Sequence, residues 1–191
     1  LASHLSLARQ IACPVVLISS VLEAEANQEV ARQQDFYMVS SISYVNLEPL
    51  ILSTAFLKTS RTAAAALSNK RMAVSMLSFQ HLDAVKKLES QTVVEKERLG
   101  AVESLTHCGF INGRLNSGLL YIKDSLLALG LRIFEQTELE QYIVVLAKLE
   151  ETATTEGLSE SASQEPLIRY NRLYATIDQD RLSQGNERYP V

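Results

Sequence analysis

Three histidines, two cysteines and a scatter of carboxylates are the side chains in this 191-residue chain with the means to do chemistry. His4, His81 and His107 contain no HExxH and no pair of ExxH motifs, so the ligand spacing of a zincin or di-iron helix is missing. Glu103 and His107 stand four apart, which suits a helical ion pair or a solvated histidine better than a metal that needs three or four ligands. Cys108 adjoins His107, but neighbours on a helix point about 100° apart and no third group orients them as nucleophile and base. Gly109-x-x-x-Gly113 lacks the GK[ST] of a phosphate loop and reads as the end of a helix. Glu95, Glu97, Glu103, Glu138 and Glu140 lie among Lys and Arg, the mark of a solvated face rather than an acid–base pair. Arg169, Tyr170 and Tyr174 form an amphipathic aromatic patch, either a contact surface or core with hydroxyls reaching water, and core is the commoner outcome. No residue is therefore nominated as catalytic, cofactor-binding or metal-ligating, and no partner-binding residue is assigned.

The totals narrow the classes. A composition 47% hydrophobic and 21% charged is that of a folded domain, and with 7 Gly, 4 Pro and no Trp the chain is short of residues for many tight turns. A net charge of -4 with no basic run offers no general attraction to nucleic acid or anionic membrane. Cys13 and Cys108 are read as two packed thiols, with one disulfide between them as the alternative. No apolar run approaches the ~20 residues that span a bilayer. Ile11 to Leu22 followed by Ala24-Glu25-Ala26 imitates a secretory leader but is read as helix, and an initial Leu fits an excised or processed chain.

Helices are expected to hold these residues. The central one is Arg114 to Gln136, where Leu115, Leu119, Ile122, Leu126, Leu129 and Ile133 recur at alternating spacings of four and three, with Leu120, Leu127, Leu131 and Phe134 as a second stripe. Before it, apolar spacing predicts a helix from Leu5 to Leu22 interrupted at Pro14, and a second carrying Met38, Ile42 and Val45. Whether the chain breaks at Asn27 stays open. Asn46-Leu47-Glu48-Pro49 marks a break, Leu50 to Leu67 a further helix with a weak stop at Ser68-Asn69, and Met72 to Leu105 a long helix closed by Gly109 and Gly113. Thr137-Glu138-Leu139-Glu140 reads as a capping box for a helix through Leu149. Ser163 and Pro166 start the last, whose face is Leu167, Tyr170, Tyr174 and Ile177. The expected architecture is all-α, an up-and-down antiparallel helical bundle with long helices, a single domain over residues 1–191 or two stacked sub-bundles sharing helices.

The runs Leu7 to Gln34, Ala63 to Ser90 and Phe110 to Glu135 resemble the periplasmic sensor regions of bacterial hybrid histidine kinases of the TorS type, which respond to trimethylamine N-oxide. That resemblance implies a non-enzymatic, extracytoplasmic sensor without a cofactor. It would meet a protein partner such as a periplasmic binding protein, form a homodimer, touch the membrane only through flanking segments and relay a change in helix packing. The alternative is a structural or adaptor helical subunit, or a secreted helical factor.

Overall fold

Arg114 to Gln136 is not a helix. In the computed structural model, which describes residues 11–22, 33–91, 99–153, 165–170 and 173–176, this stretch holds the second strand of one hairpin and most of a twelve-residue strand. The strands are β1 (Cys13–Pro14), β2 (Val16–Leu22), β3 (Gln33–Val39), β4 (Ile42–Leu47), β5 (Leu50–Leu57), β6 (Arg71–Met76), β7 (Asn112–Arg114), β8 (Leu120–Ile122), β9 (Leu127–Glu138), β10 (Tyr142–Thr152), β11 (Ile168–Tyr170) and β12 (Leu173–Ala175). The helices described are α1 (Arg61–Asn69), α2 (Leu82–Ser90) after a 3-10 turn at Phe79–His81, and α3 (Ala101–Cys108). The all-α bundle is thereby overturned.

The physical reason is visible along β9. Leu129, Leu131 and Ile133 are buried while Arg132 and Phe134 are exposed, the period-two alternation of a strand with one wet face. A segment this rich in Leu also fits a four–three template, and the pairing with β6 and β10 decides between them. The same correction applies to Leu50–Leu57, where Leu52, Thr54 and Phe56 face inward, and to Tyr142–Thr152, where Val145 and Ala147 do. The apparent capping box at Thr137 ends β9 and enters the β9–β10 turn, where Leu139 N–H donates to the Tyr142 carbonyl at 2.8 Å. Pro14 lies in β1, and Met38, Ile42 and Val45 lie in β3 and β4. The long helix from Met72 resolves into β6, α2 and α3, and the last helix is replaced in part by β11 and β12. Asn27, Ser163, Ile177 and the adjoining stretches lie outside the described residues.

Several punctuation marks keep their positions with a new meaning. Asn46 to Pro49 turns β4 into β5, with Asn46 Nδ2 donating to the Pro49 carbonyl at 2.8 Å. Gly109 ends α3 in the left-handed region at φ 103°, where a side chain would be strained. Helix α1 starts at Ser60, whose hydroxyl accepts from Ala63 N–H at 3.3 Å, and stops at Lys70, also left-handed.

Seven strands form one antiparallel sheet in the order β3-β2-β6-β9-β10-β5-β4. Its outermost strands, β3 and β4, are nevertheless joined by Ser40 and Ser41 alone. In a flat sheet six spacings of about 4.8 Å would hold them about 29 Å apart, whereas two linking residues span at most about 11 Å. The sheet must therefore curl into a barrel. The rings of Tyr37 on β3 and Phe56 on β5 meet at 6.2 Å across the interior, although four strands separate β3 from β5 in the sheet order. Register shifts in β10 and between β4 and β5 supply the bends.

Two cores follow from β2, which is buried on both faces. Val16 and Ile18 point into the barrel with Phe56, Met72, Leu131, Ile133 and Val145, closed at one side by Ala63 and Ala66 of α1. Leu17, with Val15 just ahead of β2, points outward against Val85 and Leu88 of α2, Leu105 and Cys108 of α3, and Ile122 of β8. Cys108 is packed in that outer core, and Cys13 and Cys108 are not bonded to each other.

The strand reading separates two adjacent residues that the helix reading buries together. Ile133→Ala should cost about 2–5 kcal/mol by urea unfolding, whereas Phe134→Ala should stay within about 0.5 kcal/mol. Equal losses at both positions would contradict the barrel.

Candidate functional site

The seam where the barrel closes is also where a pocket opens. A cavity of about 450 Å³ is lined by Tyr37, Met38 and Val39 of β3, the linking Ser40 and Ser41, Ala55 of β5, Tyr142 of β10 and Val15, with Arg169 and Tyr174 across its mouth. Three phenol rings, two short hydroxyls and one guanidinium around an apolar floor suit a planar, polar-edged aromatic ligand.

The far wall is placed by backbone bonds. Leu167 is wholly buried, its N–H donating to the Leu77 carbonyl at 3.0 Å and its carbonyl accepting from Val15 N–H at 2.9 Å. This pins β11, which pairs with β1 on one side and β12 on the other, and Arg169 and Tyr174 then fall directly opposite each other. The Arg169 guanidinium lies 5.8 Å from the Tyr174 ring centroid and 3.4 Å from Glu89 Oε1 at the end of α2. Burial raises the Tyr174 pKa well above the ordinary phenol range, Glu89 adds to the rise, and Arg169 opposes it. Burial also raises that of Tyr37, helped by Tyr142. Both phenols are thus held protonated, as donors. The Tyr174 hydroxyl is buried and interacts with the Glu89 carboxylate.

Of the residues singled out from sequence, the structure brings together Arg169 and Tyr174; Tyr170 is 47% exposed on the same short strand. Tyr37, Ser40, Ser41 and Tyr142 were missed, because the link that joins them is a two-residue connection between distant strands and the pattern was read as one helix. The signal available was the Ser-Ser pair between two short runs rich in aromatic and β-branched residues.

The other candidates do not converge there. His107 and Glu103 are exposed on α3, Glu138 pairs with Lys58 at 2.9 Å, and Glu140 is exposed in the β9–β10 turn. Gly113 lies in β7 against the ring of Tyr121. His4, Glu95 and Glu97 lie outside the described residues. His81 is buried and stacks on Phe110 at 5.8 Å, with its Nδ1 2.9 Å from the Ser78 hydroxyl and accepting from Ser78 N–H at 3.1 Å. Its Nε2 is 3.2 Å from Asp124 Oδ1, off the line of a good hydrogen bond. The order Ser–His–Asp imitates a hydrolase, but Ser78 is wholly buried and its hydroxyl meets no solvent. The cluster braces the turn beside Pro166, which pairs with Ser78 ahead of Arg169.

A curled antiparallel barrel with outer helices and an aromatic pocket on its seam defines a class of ligand-binding barrel. The chain belongs to the flavin reductase like domain family, which matches residues 8–178. Among solved structures, nitrilotriacetate monooxygenase component B from Mycobacterium thermoresistibile is similar at 16% identity over 100% of this chain and 90% of that one, with TM-score 0.73. An NADH:FAD oxidoreductase of Streptomyces globisporus is similar at 11% identity over 93% of each chain and TM-score 0.71. The styrene monooxygenase flavin reductase of Pseudomonas putida S12 gives 12% identity over 92% and 97% and TM-score 0.70. At such identities these likenesses establish the fold. No curated protein matches.

The family overturns the sensor reading. Membership in a flavin reductase family replaces the resemblance to TorS-type histidine kinases, and with it go the non-enzymatic relay, the adaptor alternative and the extracytoplasmic placement that rested on them. Among the described residues, no helix is long and apolar enough to cross a membrane.

Because the native state holds Tyr174 protonated above its ordinary pKa of 10.0, the native state binds more protons than the unfolded chain above that pH. Stability should therefore fall as pH rises past about 10, and fall less steeply in Tyr174→Phe; thermal melts across that range check the sign.

Proposed function

We propose that the protein is a flavin reductase, using a reduced nicotinamide dinucleotide to reduce a flavin by two electrons. The pocket on the seam carries the reading, because its rings, hydroxyls and guanidinium meet the needs of an isoalloxazine and its anionic tail. The fit rests on the three phenol rings and the Arg169 guanidinium that line one cavity of about 450 Å³. A flavin bound there would supply the two-electron redox chemistry.

The chain's residues would do the rest. Tyr37 and Tyr142 offer apolar ring surface that excludes water from one side of the cavity, and the raised Tyr37 pKa keeps its proton in place for donation. Ser41 gives its hydroxyl proton to the Ala55 carbonyl at 3.2 Å, which leaves its oxygen lone pairs turned toward a donor on the ligand. Ser40 and Ser41 are small enough for the ligand to approach the linking backbone closely. Arg169, held by Glu89, places a positive charge at the mouth, where it can steady a phosphate or a reduced, anionic ring.

Homodimerisation is part of the proposal. Strand β4 pairs on one side with β5 and exposes Tyr44, Val45 and Leu47 at 64%, 53% and 70%, an apolar edge that a second copy would cover.

The direct test is titration of the purified chain with FMN and FAD, followed by flavin fluorescence, and flavin-dependent oxidation of NADH and NADPH. Saturable quenching and NADH oxidation well above the rate with free flavin are expected, with Arg169→Gln weakening flavin or dinucleotide binding about tenfold. Absence of both quenching and accelerated oxidation would sink the reading. Sedimentation at several concentrations should show a dimer; a monomer throughout would remove the homodimer.

A further inference from the structure

A second cavity, also of about 450 Å³, opens at the opposite end of β2 and has a different character. It is lined by Val21, Asn69, Lys70, Arg71, Ser117, Leu119 and Arg132, whereas the seam pocket touches Val15. Six residue-to-residue steps separate Val15 from Val21, about 20 Å at about 3.3 Å per step. One small ligand does not occupy both.

The charge arrangement here runs against sheet stability. Arg71 on β6 sits directly opposite Arg132 on β9, and Arg132 sits directly opposite Lys148 on β10. Three cations therefore stand in one row across three adjacent strands, where like charges facing each other are destabilising. Glu150 serves both arginines, 3.2 Å from Arg71 Nε and 3.6 Å from Arg132 Nη1. Glu151 turns instead to the Ser117 N–H, at 3.3 and 3.4 Å.

Lys70 adds a fourth cation at the end of α1. It is a non-glycine residue at φ 55°, held there by its carbonyl, which accepts from Ile133 N–H at 2.8 Å. Its ammonium donates to a neutral partner, Gln136 Oε1, at 3.0 Å. The tip of the β7–β8 hairpin forms the opposite lip, where the Ser117 hydroxyl is buried without a hydrogen-bond partner. Strained backbone, in-register like charges and an unsatisfied hydroxyl thus converge on one concavity.

We propose that this cavity is a binding site for a phosphoryl group of a small molecule. Two guanidiniums side by side match the paired oxygens of a phosphoryl group, and Lys70 supplies a point charge from the adjoining wall. The bound anion relieves the repulsion along the row, so occupancy stabilises the barrel. A free inorganic anion and the phosphates of a nucleotide share this chemistry.

Calorimetric titration of the full chain with inorganic pyrophosphate, and separately with ADP, at constant ionic strength distinguishes the sources. Saturable binding of at least one is expected, weakened about tenfold or more by Arg71→Gln and by Arg132→Gln. Tighter ADP binding assigns the site to a nucleotide, and tighter pyrophosphate binding to a free anion. With no anion present, Arg132→Gln should melt at a higher temperature than the parent, because the row is broken. That readout separates a lost site from a misfolded variant. Absence of saturable binding, or affinity unchanged in a folded Arg132→Gln, would overturn the proposal.

Discussion

Ser40 and Ser41 join the two ends of a seven-stranded sheet, and that short tether constrains everything else in the molecule. Strands six places apart in the sheet order come together within a two-residue reach, so the sheet has to roll up. Rolling creates an interior that only inward-facing side chains can fill. Phe56, Met72, Leu131, Ile133 and Val145, from four different strands, become one core because of it. The register shifts in β9, β10, β4 and β5 are the local distortions that allow the curvature.

Closure also explains why the pocket lies where it does. A barrel seam bridged by a link rather than by continuous ladder bonds is a place where backbone and short side chains remain open to a ligand. The outer layer then completes it. Leu167 is locked between Val15 and Leu77, β11 pairs with β1, and the cross-strand register delivers Arg169 and Tyr174 to the mouth. Glu89 on α2 fixes the guanidinium from outside, so the helical layer positions a site that the barrel alone would leave half built.

The two cavities divide the barrel chemically. At the seam, aromatic rings and protonated phenols dominate. At the far end, cations stand in register with few counterions. Each has a buried hydroxyl in its lining, Tyr174 in one and Ser117 in the other. Polar and charged groups gather at these concavities, while the barrel interior between them is largely apolar.

Local chemistry alone determined the punctuation: a turn at Asn46 to Pro49, the end of α3 at Gly109, and a change of direction near Ser68 to Lys70. It also singled out Arg169 and Tyr174 as an amphipathic pair, without deciding between contact surface and core. These depend on backbone torsions and side-chain types within a few residues, so they survive any error about the elements around them. The identity of the elements was another matter. Leu115, Leu119, Ile122, Leu126, Leu129 and Ile133 satisfy a helical spacing, and Leu129, Leu131 and Ile133 satisfy a strand alternation just as well. Only partners distant in the chain discriminate between them. Ladder bonds from β6 and β10 on either side of β9 make the extended form the one that pairs its backbone and buries alternate residues. The seam pocket was illegible for the same reason: the Tyr37–Ser41 segment, Tyr142 and Arg169 are far apart in sequence, and they meet because the sheet closes.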